Sequence, residues 1–215
     1  MAIKKVKLRD AEATREKILE CATHCFAKAG LNGTSVDEII TKAHINKQLI
    51  YYYYGSKEKL YREVHVRGWK KLQDWFMYQL SLIPEYEGLD VDAIQRLILE
   101  SVKILNTFIA NNVAFQRLVT WDALEGGKVT RSLWEDMRKP LVEHFHNLIE
   151  VGKEMGVISK EYDAAHTLIS ILGMVTFYHI HSNSLEEILQ TKPTDAKTLK
   201  KREEQVLFSV KKMLY

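Results

Sequence analysis

Apolar residues recur at helical spacing along almost the whole chain, and this periodicity is the feature that most constrains the fold. Ile18, Ala22 and Phe26 follow one another at intervals of about one helical turn, as do Phe76 and Leu80. The 215 residues include only three prolines and ten glycines, and no segment alternates apolar and polar residues between turn signals. With 46% hydrophobic residues the chain can bury a core. The sequence therefore predicts an all-α fold.

Helix start signals divide the N-terminal part into short segments. Ser35 and Glu38 have the spacing of a capping box, and Asn46 and Ser56 can each cap a further helix. The predicted helices here span about 10–29 (stopped by Gly30), 36–43, 47–53 and 57–82 (ended by Pro84). The helices predicted beyond residue 82 span about 91–111, 113–125, 128–137, 140–155, 163–181, 184–189 and 197–214.

Positive charge is concentrated towards the N-terminus. Residues 1–71 carry 15 basic and 8 acidic side chains, a net of +7, whereas residues 72–215 carry 16 and 20, a net of −4. A solvated tail contributes part of this asymmetry through Lys4, Lys5, Lys7 and Arg9. The distribution favours a polyanion-binding N-terminal domain over residues 1–56 and a helical second domain over residues 57–215.

The segment from Gly33 to Leu60 has the plan of a helix-turn-helix, with a short helix, a tight connection and a second short helix. In this plan the second helix enters the major groove of DNA. Lys47, Gln48 and Leu49 are expected to face outward there. Lysine can donate to guanine, glutamine can pair with adenine, and leucine can contact a thymine methyl group.

Other residues of the segment suit the DNA backbone. Tyr51, Tyr52 and Tyr53 offer hydroxyl donors on rigid rings, which can bind phosphate without reading sequence. Thr34 and Ser35 open one helix, and Lys57 opens another, where free backbone N–H groups can bind phosphate. We therefore expect double-stranded operator DNA as a partner.

Four segments of the N-terminal part carry a family resemblance: Thr14–Leu19, Phe26–Gly30, Thr34–Val36 and Ile45–Leu60. Together they resemble the DNA-binding domain of the tetracycline-repressor (TetR) family over about the first 60 residues. The resemblance implies a transcriptional repressor, a helical homodimer whose C-terminal domain binds an inducer. By position it implies DNA contacts at Asn46, Lys47, Gln48, Leu49, Tyr51, Tyr53 and Lys57.

Two tyrosines depart from the family pattern. Tyr53 stands where the family often has histidine, and Tyr54 where it usually has phenylalanine. A buried, unpaired hydroxyl costs about 1–3 kcal/mol. Tyr54 is therefore expected either to find a hydrogen-bond partner or to reach the surface with its hydroxyl.

The C-terminal part predicts a dimer interface and an effector pocket. The segment 164–180 is apolar on most of its circumference, so we expect a symmetric dimer built from the helices over 140–155 and 163–181. The aromatic residues of the C-terminal part could line a ligand cavity or fill the core. Phe76, Arg117 and Trp121 are the candidate effector residues, and the sequence does not identify the effector.

Other functions are less well supported by the residues. Neither a nucleophile with a base nor a phosphate-binding glycine loop occurs at useful spacing, so neither an enzyme nor a cofactor is expected. The pairs His144/His146 and His179/His181 leave a metal carrier as an alternative, and an architectural DNA-binding protein is another. We expect neither a signal peptide nor a membrane span, and a cytoplasmic location with Cys21 and Cys25 reduced.

Overall fold

The computed structural model describes residues 2–83 and 90–214, with side chains from residue 11 onward. The prediction of an all-α fold is confirmed, since this part of the chain forms helices and no strand. The α-helices are α1 (Ala2–Gly33), α2 (Val36–Ala43), α3 (Lys47–Tyr54), α4 (Lys57–Ser81), α5 (Val91–Asn111), α6 (Val113–Leu124), α7 (Lys128–Ser132), α8 (Lys139–Glu154), α9 (Ala164–Ile180), α10 (Glu186–Leu189) and α11 (Ala196–Leu214). A π-helical turn spans Trp134–Arg138, and a 3-10 turn spans Ser182–Ser184.

The first helix differs from its prediction at both ends. It begins at Ala2 and not near residue 10, because the preceding residues contain no glycine or proline and are mostly good helix formers. Gly30 does interrupt it, with φ 70° and ψ −172°, but helical structure resumes and runs to Gly33. The single helix expected over 128–137 is divided between α7 and the π-helical turn. Pro84 lies outside the described residues.

The three predicted N-caps are present. The side-chain oxygens of Ser35, Asn46 and Ser56 accept hydrogen bonds from backbone N–H groups three residues further on, at 3.1, 3.0 and 3.1 Å. Each cap fixes the first residue of one helix, and together they set the boundaries of α2, α3 and α4.

The chain forms two compact units. The first contains the residues up to Lys70 together with Ala114–Trp134, and its core includes Ile18, Phe26 and Ile50. The second contains Lys71–Val113 and the residues from Glu135 onward, and α5 packs there against α8, α9 and α11. These units differ in extent from the predicted domains, because residues 57–70 of α4 and all of α6 except its first residue belong to the same unit as the N-terminal helices. The division of function between residues 56 and 57 stays a prediction.

Helix α6 approaches α4 very closely inside the first unit. The ring of Phe115 lies against Gly68 and leaves no room for a Cβ atom at that position. The same ring meets Trp69 edge to face, with centroids 5.3 Å apart. A side chain at position 68 would therefore force the two helices apart.

Helix α9 is less enclosed than its composition predicts. Leu168, Ile171 and Val175 are buried in the second unit. On the other side, Ile169 is 62% exposed and Phe177 is 56% exposed. The chain by itself therefore leaves an apolar face of α9 open to solvent.

Candidate nucleic-acid interface

The exposed face of α3 is formed by two pairs of side chains, each pair one helical turn apart. Lys47 pairs in this way with Tyr51, and Gln48 pairs with Tyr52. Ile50 has no exposed surface and fixes the opposite side of the helix in the core. The prediction that Lys47 and Gln48 face outward is confirmed, since both are exposed, whereas Leu49 is half-buried.

Tyr52 is not among the residues at which the family resemblance implies a DNA contact, although its side chain is 80% exposed. Its spacing of four residues from Gln48 is the signal that could have identified it. Its ring meets that of Tyr53 edge to face, with centroids 5.1 Å apart. Tyr52 therefore adds a large aromatic surface and a hydroxyl to the outward face of α3.

An ion pair holds Lys47 in place. Its Nζ donates to Oδ1 of Asp37 on α2 at 2.9 Å, and this hydrogen bond raises the pKa of Lys47 above its ordinary value. The lysine is therefore a cation at neutral pH. Because both side chains are exposed, the pair is screened by solvent, and a DNA acceptor could replace the carboxylate.

The two remaining tyrosines of α3 contact Arg15 on α1. The Arg15 guanidinium lies 5.1 Å from the centroid of the Tyr53 ring, and the Tyr54 hydroxyl donates to the Arg15 carbonyl oxygen at 3.1 Å. Burial raises the pKa of Tyr54 to about 12, so its hydroxyl stays protonated and can donate. The expectation that Tyr54 requires a partner or a surface position is confirmed.

Thr34 and Lys57 support the connection between α1 and α2. Thr34 is buried, and its hydroxyl lies within hydrogen-bond distance of the carbonyl oxygens of Cys25 at 3.1 Å and Gly30 at 2.7 Å. The Nζ of Lys57 donates to the carbonyl oxygens of Leu31 at 2.9 Å and Thr34 at 3.0 Å. Neither side chain points freely to solvent, so any phosphate contact by Thr34 falls to its backbone.

Of the residues at which the resemblance implies DNA contacts, the structure brings three together on one outward surface: Lys47, Gln48 and Tyr51. Ser35 and Asn46 lie at the N-termini of α2 and α3, where their side-chain oxygens act as caps. We call the surface of Lys47, Gln48, Tyr51 and Tyr52 the α3 face.

The three candidate effector residues do not lie in one compact unit. Phe76 belongs to the second unit, where it is buried with its ring centroid 5.2 Å from that of His144. Arg117 and Trp121 lie on α6 in the first unit. Arg117 is exposed, and Trp121 packs against Gly30.

The histidine pairs do not assemble into a metal site within the described part of the chain, where no group of three or more potential ligands occurs. The Nε2 of His144 lies 3.0 Å from the Ser101 hydroxyl, and burial lowers the pKa of this histidine. His179 is also buried, and both burial and Arg202 lower its pKa.

A bilayer-spanning helix, which needs both length and a continuous apolar surface, does not occur among the described residues.

The capped helices α2 and α3, with the outward α3 face, define the first unit as a helix-turn-helix DNA-binding module. Residues 18–64 match a family model described as bacterial regulatory proteins of the tetR family, and residues 91–210 match one described as a tetracyclin repressor-like C-terminal domain. The chain belongs to the TetR family and is a DNA-binding transcriptional regulator. This is a family of regulators and not of enzymes.

Named relatives and solved structures are similar over most of the chain. The chain is 31% identical to the HTH-type transcriptional repressor SCO4008 of Streptomyces coelicolor, over 79% of this chain and 80% of that repressor. It is 25% identical to the HTH-type transcriptional repressor NicS of Pseudomonas putida, over 86% and 84%. A structure of AibR in complex with isovaleryl coenzyme A and operator DNA shares the fold, with TM-score 0.71, 16% identity, and coverage of 94% and 100%.

Proposed function

We propose that this protein is a homodimeric repressor that binds a near-palindromic operator in the cytoplasm and releases it when a small-molecule effector binds. The α3 face carries this proposal. Its cation, amide and two phenols are exposed together on a helix that Ile50 fixes in the core. These are groups that hydrogen-bond to base edges and phosphates in the major groove. The relatives SCO4008 and NicS are described as repressors, which favours repression over activation.

Within the α3 face we assign separate roles. Gln48 reads a base through its side-chain amide, and Lys47 exchanges Asp37 for guanine or phosphate oxygens. Tyr51 and Tyr52 lie one turn further along α3 and donate hydroxyls to the DNA backbone. Leu49 is half-buried and contributes an apolar contact at the rim of this surface.

The remaining predicted contacts act near helix N-termini. Ser35 and Asn46 cap α2 and α3, and the backbone N–H groups beside them are placed to meet phosphates. Thr34 and Lys57 hold this region by hydrogen bonds to neighbouring carbonyl groups. Tyr53, near the C-terminal end of α3, instead packs against Arg15 on α1. We therefore assign Thr34, Tyr53 and Lys57 mainly to positioning.

The dimer is built from α9 and α11. The open face of α9 carries Ile169 and Phe177, and α11 exposes Phe208 by 57%. The exposed side of α8, by contrast, carries the polar residues Glu143 and Asn147. A closed two-fold interface buries large apolar side chains, and Phe208 is such a residue on α11 whereas α8 exposes none, so we place α11 and not α8 beside α9 in the proposed interface.

An effector site in the C-terminal part remains a proposal. AibR, which shares the fold, is described in complex with both a coenzyme A thioester and operator DNA, and this supports an effector-responsive regulator. Phe76 is the candidate that lies in the second unit. Trp121 packs against Gly30 in the same unit as the α3 face, so we propose that it transmits the effector response to the DNA-binding helices. Arg117 is exposed on α6, one helical turn from Trp121, and stays a candidate effector contact.

The test is selection of bound sequences from random DNA with the full chain. We expect a near-palindrome with half-sites about 34–36 Å apart, or a multiple of one turn. Gln48→Ala should lose about 1–3 kcal/mol of discrimination at one position of each half-site. Thr41→Ala, an exposed substitution on α2, is the control and should keep the preference. Enrichment of no sequence would contradict the proposal and favour an architectural DNA-binding protein.

A further inference from the structure

A groove of about 600 Å³ lies in the second unit between the end of α9, α10 and the first turns of α11. This volume is within the range of small-molecule sites, which is about 300–1,000 Å³. The groove is separate from Phe76, Arg117 and Trp121, none of which lines it.

One wall of the groove is apolar. Phe177 at the end of α9 is 56% exposed, and Ile188 on α10 is 76% exposed. Leu185 and Leu189 lie beside them and are half-buried. Covering such exposed apolar side chains with another apolar surface lowers the free energy of the system.

The other wall is cationic. Lys197, Lys201 and Arg202 lie on neighbouring turns of α11 and line the groove. None of the three forms an ion pair with a carboxylate of the described residues. Three cations therefore line one small groove without an acidic partner.

Arg202 is held in a fixed position at this wall. Its Nη2 donates to the carbonyl oxygen of Met174, and its guanidinium lies 5.5 Å from the centroid of the Tyr178 ring. Tyr178 is fixed in turn, because its hydroxyl donates to the carbonyl oxygen of Pro193 at 2.8 Å. The Nε of Arg202 is buried and has no hydrogen-bond partner among the described residues. A guanidinium fixed in this way loses little conformational entropy when an oxyanion binds.

We propose that this groove binds an organic anion with an apolar chain, namely a medium-chain carboxylate. The carboxylate lies against Lys201 and Arg202, and the chain covers Phe177 and Ile188. Charge complementarity selects the head group, and the exposed apolar wall selects the tail. This inference does not depend on the proposed function, since binding to the groove can be measured without DNA.

The groove shares Phe177 with the proposed dimer face, so a second copy of the chain is the competing occupant. A second copy has to match three cations with acidic side chains. The exposed side of its α9 offers no carboxylate, and its α11 offers one exposed carboxylate, Glu204, among the exposed lysines Lys200, Lys211 and Lys212. The carboxylate supplies the missing negative charge directly. The charge on this wall therefore favours the small anion over the second copy.

The test is isothermal titration of the full-length protein with decanoate below its micelle concentration. Decanol provides the same chain without charge, acetate provides the charge without the chain, and decyl phosphate provides a second oxyanion. We expect decanoate to bind at least tenfold more tightly than decanol and acetate. A tenfold preference for decyl phosphate over decanoate would overturn the assignment of a carboxylate ligand.

Variants locate the site. Lys201→Glu should weaken decanoate binding at least tenfold, whereas Lys200→Glu, the same change on an exposed neighbour that does not line the groove, should alter it less than twofold. Ile188→Ser should weaken decanoate but not acetate. Equal affinities for the two glutamate variants would overturn the inference. An absence of decanoate binding to the wild-type protein would also overturn it. A loss of the dimer in Lys201→Glu would then assign the groove to the subunit contact.

Discussion

The carboxylate of Glu125 at the end of α6 accepts hydrogen bonds from both the backbone N–H and the side-chain amide of Asn32, each at 3.1 Å. It also accepts from the backbone N–H of Leu31 at 3.2 Å. These N–H groups follow Gly30, where the backbone of the first helix is not helical. Glu125 therefore completes the hydrogen bonding of the N-terminal helices from a position 93 residues away along the chain.

Glu125→Ala should lower the free energy of unfolding by about 1–3 kcal/mol, since it leaves the partly buried N–H of Leu31 and two exposed donors of Asn32 without a charged acceptor. Urea denaturation followed by circular dichroism measures this change. Glu154→Ala, at an exposed position at the end of α8, is the matched control and should change stability by less than about 0.5 kcal/mol. Equal stability of the two variants would show that the Glu125 contacts contribute nothing.

Local patterns predicted most of the helices but not this association. Caps such as Ser35 and Asn46 act over three residues, so the sequence predicts them directly. The contact between Glu125 and Asn32 joins distant segments, and no rule of periodicity places α6 in the same unit as α1. The α3 face followed from helical spacing. The family resemblance by itself did not include Tyr52, although a spacing of four residues puts it on the same face as Gln48.

Stability should depend on pH through His65 on α4. This side chain has no exposed surface, neither ring nitrogen has a hydrogen-bond partner among the described residues, and burial lowers its pKa to about 4. Asp122 partly opposes this shift. The unfolded chain takes up the proton near pH 6.5 and the folded chain only near pH 4. The free energy of unfolding should therefore fall as the pH decreases between these values, by at most about 3 kcal/mol.

His65→Phe removes the titrating group and keeps an aromatic ring beside Tyr61. The difference in stability between this variant and the wild type should change across pH 6.5 to 4, as measured by urea denaturation at several pH values. His146→Phe, on the exposed side of α8, is the control and should follow the wild-type profile. A constant difference between His65→Phe and wild type would mean that His65 takes up its proton at the same pH in the folded and unfolded chains, so that burial does not lower its pKa.

Lys57→Met tests whether Lys57 positions the DNA-binding helices or contacts phosphate itself. Its ammonium already donates to the carbonyl oxygens of Leu31 and Thr34, so we expect a loss of about 1–3 kcal/mol in stability and uniform weakening on all DNA. The slope of log affinity against log salt should stay at the wild-type value. A decrease of the slope by about one would instead indicate a direct phosphate contact.

Lys59→Met is the matched control for this substitution. Lys59 is exposed two residues further along α4, and its Nζ has no hydrogen bond in the described structure. It should retain wild-type stability. A stability loss as large as that of Lys57→Met would remove the special role assigned to the Lys57 contacts.

Ile169→Glu and Phe208→Glu test the dimer built from α9 and α11. Both positions are apolar and more than half exposed in the single chain, so a glutamate there does not disturb the core. In a dimer it would place a charge inside an apolar interface, where it has no partner. We expect monomers by sedimentation equilibrium at micromolar concentration and a loss of operator affinity of at least tenfold, since the two half-sites must be bound together. Asn147→Glu, on the polar exposed side of α8, should leave both the dimer and operator binding unchanged. Dissociation by Asn147→Glu, with intact dimers of the other two variants, would return the interface to α8.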